Sequence, residues 1–143
     1  MIDVASTFAG AEILLTGGNG FLGKVILGML LDRYPDVGRV HVLLRPRRDR
    51  TARERFQQEV LASPALAELV RAKGQAFFDE KIQVWEGDAS APLCGLDPGQ
   101  IAEWPGRVKL ILNCAGLVEF FPPADESLQA NVESAARLAE LAK

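Results

Sequence analysis

Three glycines at positions 17, 20 and 23, inside Thr16-Gly17-Gly18-Asn19-Gly20-Phe21-Leu22-Gly23, have the spacing of an anion-binding turn. An apolar run, Ile13-Leu14-Leu15, leads into them and a segment with helical periodicity leads out. The order is therefore strand, glycine turn, helix. Glycine adopts positive φ and lets a ligand approach the backbone closely. The helix that follows presents free N–H groups and the positive end of its dipole. Together they suit a pyrophosphate. The glycine pattern alone is common, and its place between a strand and a helix is what gives it weight. A tight turn without a ligand is the competing reading.

A second set of residues narrows the ligand. The run Arg39-Val-His-Val-Leu-Leu44 reads as a buried parallel strand and is followed by Arg45, with Arg47, Arg48 and Arg50 close behind. In dinucleotide-binding folds an acidic residue at the end of the second strand hydrogen-bonds the adenosine ribose, whereas an arginine suits the 2′-phosphate of NADP. Here the first carboxylate after the strand is Asp49. At roughly 1.5–3 kcal/mol per charge-assisted bond, Arg45 as primary ligand and Arg48 as second would favour NADP(H) by about one to three decades. The alternative is a solvated basic loop. Asp88, just past the third strand, is placed either to meet the adenine amino group or to cap a turn. Asn113, Ala115 and Gly116 form a small-residue turn that would pass beneath the adenosine ribose and pyrophosphate. Cys114 has nothing nearby to lower its pKa and reads as a small buried filler. His41, the only histidine, reads as a core or face residue because no second metal-binding group lies near it.

Bulk properties bound the rest. Hydrophobic residues are 48% and charged residues 24% of 143, a composition suited to one globular domain. A net charge of −3 argues against a nucleic-acid binder. Cys94 and Cys114 form no CxxC and no metal-ligand set, so reduced thiols and no metal are expected. The first residues lack the basic region of a secretory signal. The longest apolar stretch, Phe21 to Leu31, is interrupted by Lys24 and falls short of the roughly 20 residues of a membrane span. These features predict a cytoplasmic chain without a membrane span.

The positioning elements follow from periodicity. Residues 1–11 carry little pattern. A first strand is expected over about 12–16, and a helix whose buried face is Phe21, Leu22, Val25, Ile26, Met29 and Leu30. Tyr34-Pro35 stops it. Thr51-Ala-Arg-Glu54 reads as a capping box opening a helix with Phe56 and Val60 on one face. Ser63-Pro64 reads as an N-cap with proline at the first position of a second helix, ending near Lys73 with Gly74 as its cap. Lys81–Glu86 is the third strand, Asp97-Pro98 starts a short helix, and Val108–Asn113 is the fourth strand. The last helix starts near Asp125, with Leu128, Val132, Ala135, Leu138 and Ala142 as its apolar stripe. Strands alternating with helices predict an α/β, Rossmann-type, doubly wound parallel sheet with strand order 3-2-1-4 and helices on both faces. The glycine turn and the Asn113–Gly116 turn then face each other where the strand order reverses.

At this point the segments Thr16–Gly23, Leu43-Leu-Arg-Pro46, Ala52–Phe56, Ser63-Pro64, Lys81–Asp88, Pro92–Leu96, Asn113–Phe120 and Leu128–Val132 resemble the N-terminal half of fatty acyl-CoA reductases. These are extended short-chain dehydrogenases/reductases related to the thioester reductase domains of carboxylic acid reductases and peptide synthetases. The resemblance spans about residues 12–143. It implies NADPH-dependent reduction of an acyl-CoA or carrier-bound acyl thioester to an aldehyde or primary alcohol by hydride transfer. The implied cofactor set is Thr16, Gly17, Asn19, Gly20, Phe21, Leu22, Gly23, Arg45, Arg48, Asp88, Ala89, Asn113, Ala115, Gly116 and Val118. In such relatives a tyrosine, with a lysine four residues later, donates the proton. Here the only tyrosine is Tyr34, followed four positions on by Gly38, so no catalytic residue is expected. Asp88 is followed by Ala89 where relatives commonly have leucine, and Asn131-Val-Glu-Ser134 departs from the commoner Asn-Val-x-Gly. Asn131 matches an active-site-supporting asparagine, and an ordinary hydrogen-bonding role fits it equally. The expectation is a single dinucleotide-binding domain over 1–143, an N-terminal fragment of a longer reductase, inactive alone and able to self-associate through the edge of its fourth strand. Two alternatives stay open: a stand-alone NADP(H)-binding or sensing domain, and an epimerase-type enzyme acting on a nucleotide sugar.

Overall fold

A computed structural model of the chain describes residues 3–142. Its centre is a four-stranded parallel sheet in the order β3-β2-β1-β4, formed by β1 (Glu12–Thr16), β2 (Arg39–Leu44), β3 (Ile82–Glu86) and β4 (Val108–Asn113). The predicted topology is therefore the observed one. Register sets Thr16 opposite Leu43 on one side and Asn113 on the other, so the segments leaving β1, β2 and β4 diverge from one end of the sheet.

The period-two alternation of the strands builds two cores. On one face Ile13, Leu15, Val40, Val42, Leu44 and Ile82 pack against α2 (Phe21–Arg33), α3 (Ala52–Arg55) with its continuation Phe56–Leu61, α4 (Ala67–Lys73) and α5 (Gln75–Lys81). On the other, Leu14 and Leu43 meet Cys94, Leu96, Trp104 and Leu138, delivered by a 3₁₀ turn (Pro92–Gly95), α6 (Pro98–Ile101) and α8 (Ser134–Leu141). A short α1 (Val4–Phe8), capped by Asp3, precedes β1, where the sequence suggested no element. The remaining helix, α7 (Ala124–Leu128), follows β4.

Several local signals worked as chemistry dictates. Thr51 and Glu54 form the expected capping box, and Glu86 accepts a 2.8 Å bond from the Ala52 N–H, pinning α3 to the end of β3. Asp97 and Gln100 make a second box around Pro98. Gly74, at φ +75°, ends α4. Tyr34 ends α2 and its ring packs on Phe8 at 4.9 Å.

Four expectations are corrected. The buried face of α2 is Gly23, Leu27, Leu30 and Leu31, while Phe21, Leu22 and Met29 are exposed. The close approach of Gly23 to the glycine turn decides which side of the helix faces the sheet. Ser63-Pro64 does not open a helix. Ser63 Oγ donates back to the Val60 carbonyl at 2.6 Å, and α4 begins only at Ala67. Residues 75–81 form α5, so β3 starts at Ile82 rather than Lys81. In the last helical stretch a wide π-turn, Gln129–Glu133, sits between α7 and α8. A π-turn adds a residue to the turn and shifts the phase, so Leu138 is buried while Leu128 and Val132 are exposed.

His41 is a satisfied core histidine, as expected. Trp85 Nε1–H donates to its Nδ1 at 2.9 Å, which leaves the proton on Nε2 to donate to Glu12 at 2.7 Å. Trp104 lies 5.6 Å from the imidazole, centroid to centroid. Burial pushes the His41 pKa down, against the pull of Glu12. Burial alone would raise Glu12, but hydrogen bonds from His41 and Arg107 hold it below the usual carboxylate range.

Candidate functional site

β1 delivers Thr16 and then turns at Gly17. The Thr16 hydroxyl donates to Asn113 Oδ1 at 2.5 Å, and the Cys114 N–H donates to the Thr16 carbonyl at 3.2 Å, so the ends of β1 and β4 are stitched together. Asn113 Oδ1 also accepts the Ala115 N–H at 3.2 Å. Gly17 has φ +65°, and a Cβ there would lie 2.4 Å from the Cys114 carbonyl carbon and oxygen. A Cβ on Gly23 would lie 2.2 Å from the Gly17 carbonyl oxygen. These two glycines let the turn, the β4 loop and α2 converge within van der Waals distance. Gly20 N-caps α2 without a side-chain bond, so the amides of the first turn keep donors to offer.

The turn borders a cleft of ≈730 Å³ at the carboxyl ends of the strands. Thr16, Gly17, Asn19 and Gly20 line it from the β1 side. Arg45, Asp88 and Ala89 line it from the β2 and β3 side, and Ala115 and Gly116 from the β4 side. The fold thus brings nine of the expected residues around one space. Six others stand apart from its wall. Asn113 acts behind it through Thr16 and Ala115. Gly23 is buried beneath the turn, and the side chains of Phe21 and Leu22 point to solvent. Val118 is 93% exposed. Arg48 is exposed as well, and the arginines that line the cleft beside Arg45 are Arg47 and Arg55.

Arg45 Nη1 lies 3.5 Å from Asp88 Oδ2, both side chains being substantially exposed. Such a pair is weak and easily exchanged for another anion. Asp88 Oδ1 accepts from the Ser90 N–H at 2.9 Å and from the Ser90 hydroxyl at 2.7 Å. Burial raises its pKa, and these bonds with the Arg45 charge outweigh that and lower it. Of the two roles considered for Asp88, the structure shows the turn cap, made by Oδ1, while Oδ2 faces Arg45.

Two site residues were missed by the sequence reading. Arg55 is buried, donates to the Arg45 carbonyl through Nη1, and grips Glu59 through Nε at 3.0 Å and Nη2 at 2.8 Å. Glu59 in turn accepts from Asn19 Nδ2 at 3.2 Å. The Arg55 guanidinium beside it holds the Glu59 carboxyl at about 2. A charged pair one helical turn apart usually marks a solvated face, and nothing in the local sequence separates this pair from that ordinary case.

Across the cleft Asn131 settles into one of its two anticipated roles. Its Oδ1 accepts the Leu117 N–H at 2.9 Å and its Nδ2 donates to the Leu117 carbonyl at 3.3 Å. It therefore supports the loop after β4. Cys114 lines the cleft, but burial pushes its thiol pKa up, the opposite of an activated nucleophile. No tyrosine, lysine or histidine is among the described residues that line the cleft. Among the described residues no group of three or more His, Cys, Asp or Glu is placed to hold a metal ion, and no helix is long and apolar enough to cross a membrane.

Comparison with known proteins agrees with this geometry. The family model for an NAD-binding domain described as "Male sterility protein" matches residues 15–143. The chain is 33% identical over 143 residues to human fatty acyl-CoA reductase 1, covering 100% of this chain and 27% of that protein. It is 31% identical over 135 residues to the alcohol-forming fatty acyl-CoA reductase of Simmondsia chinensis, covering 92% of this chain and 27% of the relative. Among solved structures, the reductase domain of a non-ribosomal peptide synthetase from Mycobacterium tuberculosis superposes with a TM-score of 0.73 at 31% identity, covering 98% of this chain and 34% of that one. The terminal R domain of the myxalamid biosynthetic pathway gives a TM-score of 0.73 at 27% identity over 94% of this chain and 32% of its own. The chain spans about a quarter of the length of the fatty acyl-CoA reductases that it matches.

Proposed function

The chain belongs to the male sterility protein family, and from that premise we propose that it is the NADP(H)-binding part of a longer reductase acting on fatty acyl-CoA or another acyl thioester. The observation that carries the nucleotide half of this reading is one cleft with the Gly17 turn at its centre and Arg45 at its rim. A Cβ at Gly17 would meet the Cys114 carbonyl at 2.4 Å, so only glycine lets the turn and the β4 loop close around one cleft. Relatives named fatty acyl-CoA reductases and reductase domains support the acyl thioester half.

Within this proposal the turn at Gly17–Gly20 and the amides of Phe21, Leu22 and Gly23 receive the pyrophosphate, aided by the helix dipole. Arg45 binds the 2′-phosphate, and Arg47, by its position on the cleft wall, replaces Arg48 as the second cation. Asp88 and Ala89 meet the adenine, and Ala115 and Gly116 lie beneath the ribose. Asn113 keeps Thr16 and the β4 loop in register. Val118 stands at the open side of the same loop. When bound, the reduced nicotinamide supplies a hydride to the thioester carbonyl carbon. The cleft contributes binding, orientation and exclusion of water. No tyrosine, lysine or histidine is among the described residues that line it, so in this reading residues 1–143 alone bind the cofactor without turnover. A cytoplasmic setting belongs to the same proposal and rests on the two free thiols, Cys94 and Cys114.

Calorimetric titration of the chain with NADPH and NADH tests the reading. NADPH should bind about one to three decades more tightly, as expected for one or two arginine–phosphate bonds. Equal affinities would overturn the NADP assignment, and oxidation of NADPH by residues 1–143 with an acyl-CoA would overturn the division of labour.

A further inference from the structure

Glu59 lies behind the cleft wall, in the helical continuation of α3, yet it touches three separate segments of the site. Its Oε1 and Oε2 take both arms of Arg55, at 3.0 and 2.8 Å. Oε2 also takes the Asn19 side-chain amide at 3.2 Å, which engages that amide with protein rather than ligand. Arg47 Nη1 and Arg50 Nη1 face Oε1 at 3.9 and 4.0 Å. Arg55, buried, passes the connection on by donating to the Arg45 carbonyl. The chain from glycine turn to strand-2 arginine is thus Asn19, Glu59, Arg55, Arg45.

We propose that Glu59 is a positioning residue that fixes the spacing between the glycine turn and Arg45. The inference rests on the cofactor reading above and deepens it by naming what holds its two phosphate subsites at one separation. A carboxylate with bidentate geometry is suited to this because two parallel bonds fix direction as well as distance. Glu59 meets the glycine turn through Asn19 and the loop after β2 through Arg47, and offers no contact of its own to a phosphate. Its loss leaves Arg45, Arg47, Arg50 and Arg55 with one fewer counter-charge, so attraction for a lone phosphate does not fall. What falls is the match to a ligand that spans both subsites, because ordering them must then be repeated at each binding event.

The test compares a spanning ligand with a half-ligand. NADPH reaches both subsites, and adenosine 2′-monophosphate reaches only that of Arg45. E59Q, which keeps the shape, and E59A should each weaken NADPH about tenfold while leaving adenosine 2′-monophosphate within about twofold. Hydrogen exchange in the ligand-free chain should rise together at the amides of 18–20 and 45–47, and the exchange of β1 and β2 should stay unchanged as a control for folding. Equal losses for both ligands, unchanged NADPH affinity in E59Q, or exchange that rises at one segment alone would overturn the proposal. If the unaltered chain binds neither ligand, the cofactor reading fails, and the exchange of residues 18–20 and 45–47 in E59Q still decides whether Glu59 couples the two segments.

Discussion

In β1 and β2 every residue after the first is buried, whereas β4 across the cleft has only half-buried or exposed positions. The difference continues into the loops. On the first side, Asn19, Arg55 and Arg45 line the wall and Glu59 behind it joins them into one braced set. On the second, Asn131 alone clamps the backbone at Leu117, and the next apolar side chains, Val118, Phe120 and Phe121, are 93–98% exposed. A protein concentrates rigidity where a ligand must find its groups already in place. Contiguous exposed apolar side chains instead mark surfaces that meet another molecule. The first wall therefore has the build of a finished binding surface, and the second has that of a surface still to be covered.

The harshest way to break this contrast is to add a methyl group at its centre. Gly17→Ala or Gly23→Ala places a Cβ 2.2–2.4 Å from backbone atoms, and should cost about 3–5 kcal/mol of stability. It should also abolish NADPH binding, as read by thermal melting and calorimetry. Next comes Arg45→Ala, which should weaken NADPH about tenfold to a hundredfold while moving NADH less than twofold and leaving the melting temperature unchanged. An equal loss for both nucleotides would mean that Arg45 does not read the 2′-phosphate.

Smaller effects sharpen the comparison on the other wall. Asn131→Ala removes both bonds to Leu117 and should cost about 1 kcal/mol, with increased amide exchange confined to residues 115–118. The double change Phe120→Ser with Phe121→Ser should leave stability within about 0.5 kcal/mol and lower any concentration-dependent association that the unaltered chain shows in sedimentation. Association that persists unchanged would assign it to the β4 edge instead.

His41 supplies a pH response remote from both walls. Its pKa in the folded chain is below the ordinary 6.5, chiefly through burial. The unfolded chain therefore takes up this proton first, and stability is full at pH above 6.5 and declines as pH falls through that value toward the folded pKa. Denaturant titrations followed by tryptophan emission should show the decline, because Trp85 donates to the imidazole. His41→Gln should flatten that part of the profile.

Composition and spacing alone determined the strand order, the four strands to within a residue, the Thr51–Glu54 capping box, the helix start at Asp97-Pro98 and the glycine turn. Each depends on neighbours in sequence: a β-branched run, a Thr three residues before Glu, an Asp before Pro, a glycine between strand and helix. Nine of the expected cofactor residues line one cleft for the same reason, since the ends of parallel strands are brought together by the topology itself. What lay outside the sequence depends on contacts between segments. The buried side of α2 was decided by how closely Gly23 lies under the Gly17 carbonyl. The stripe of the last helix was reset by a π-turn at Gln129–Glu133 that no local pattern announced. Arg47 rather than Arg48 reached the cleft because the chain turns at Arg47–Arg50, where the two backbones pair. Arg55 and Glu59 have the spacing of a common surface pair, and only the packing of their helix against the glycine turn made them, one buried and one half-buried, a link across the site. Local chemistry specified the elements and the anion-binding turn, and tertiary contact decided which charges stand behind that turn, because burial and long-range hydrogen bonds exist only once the sheet has assembled.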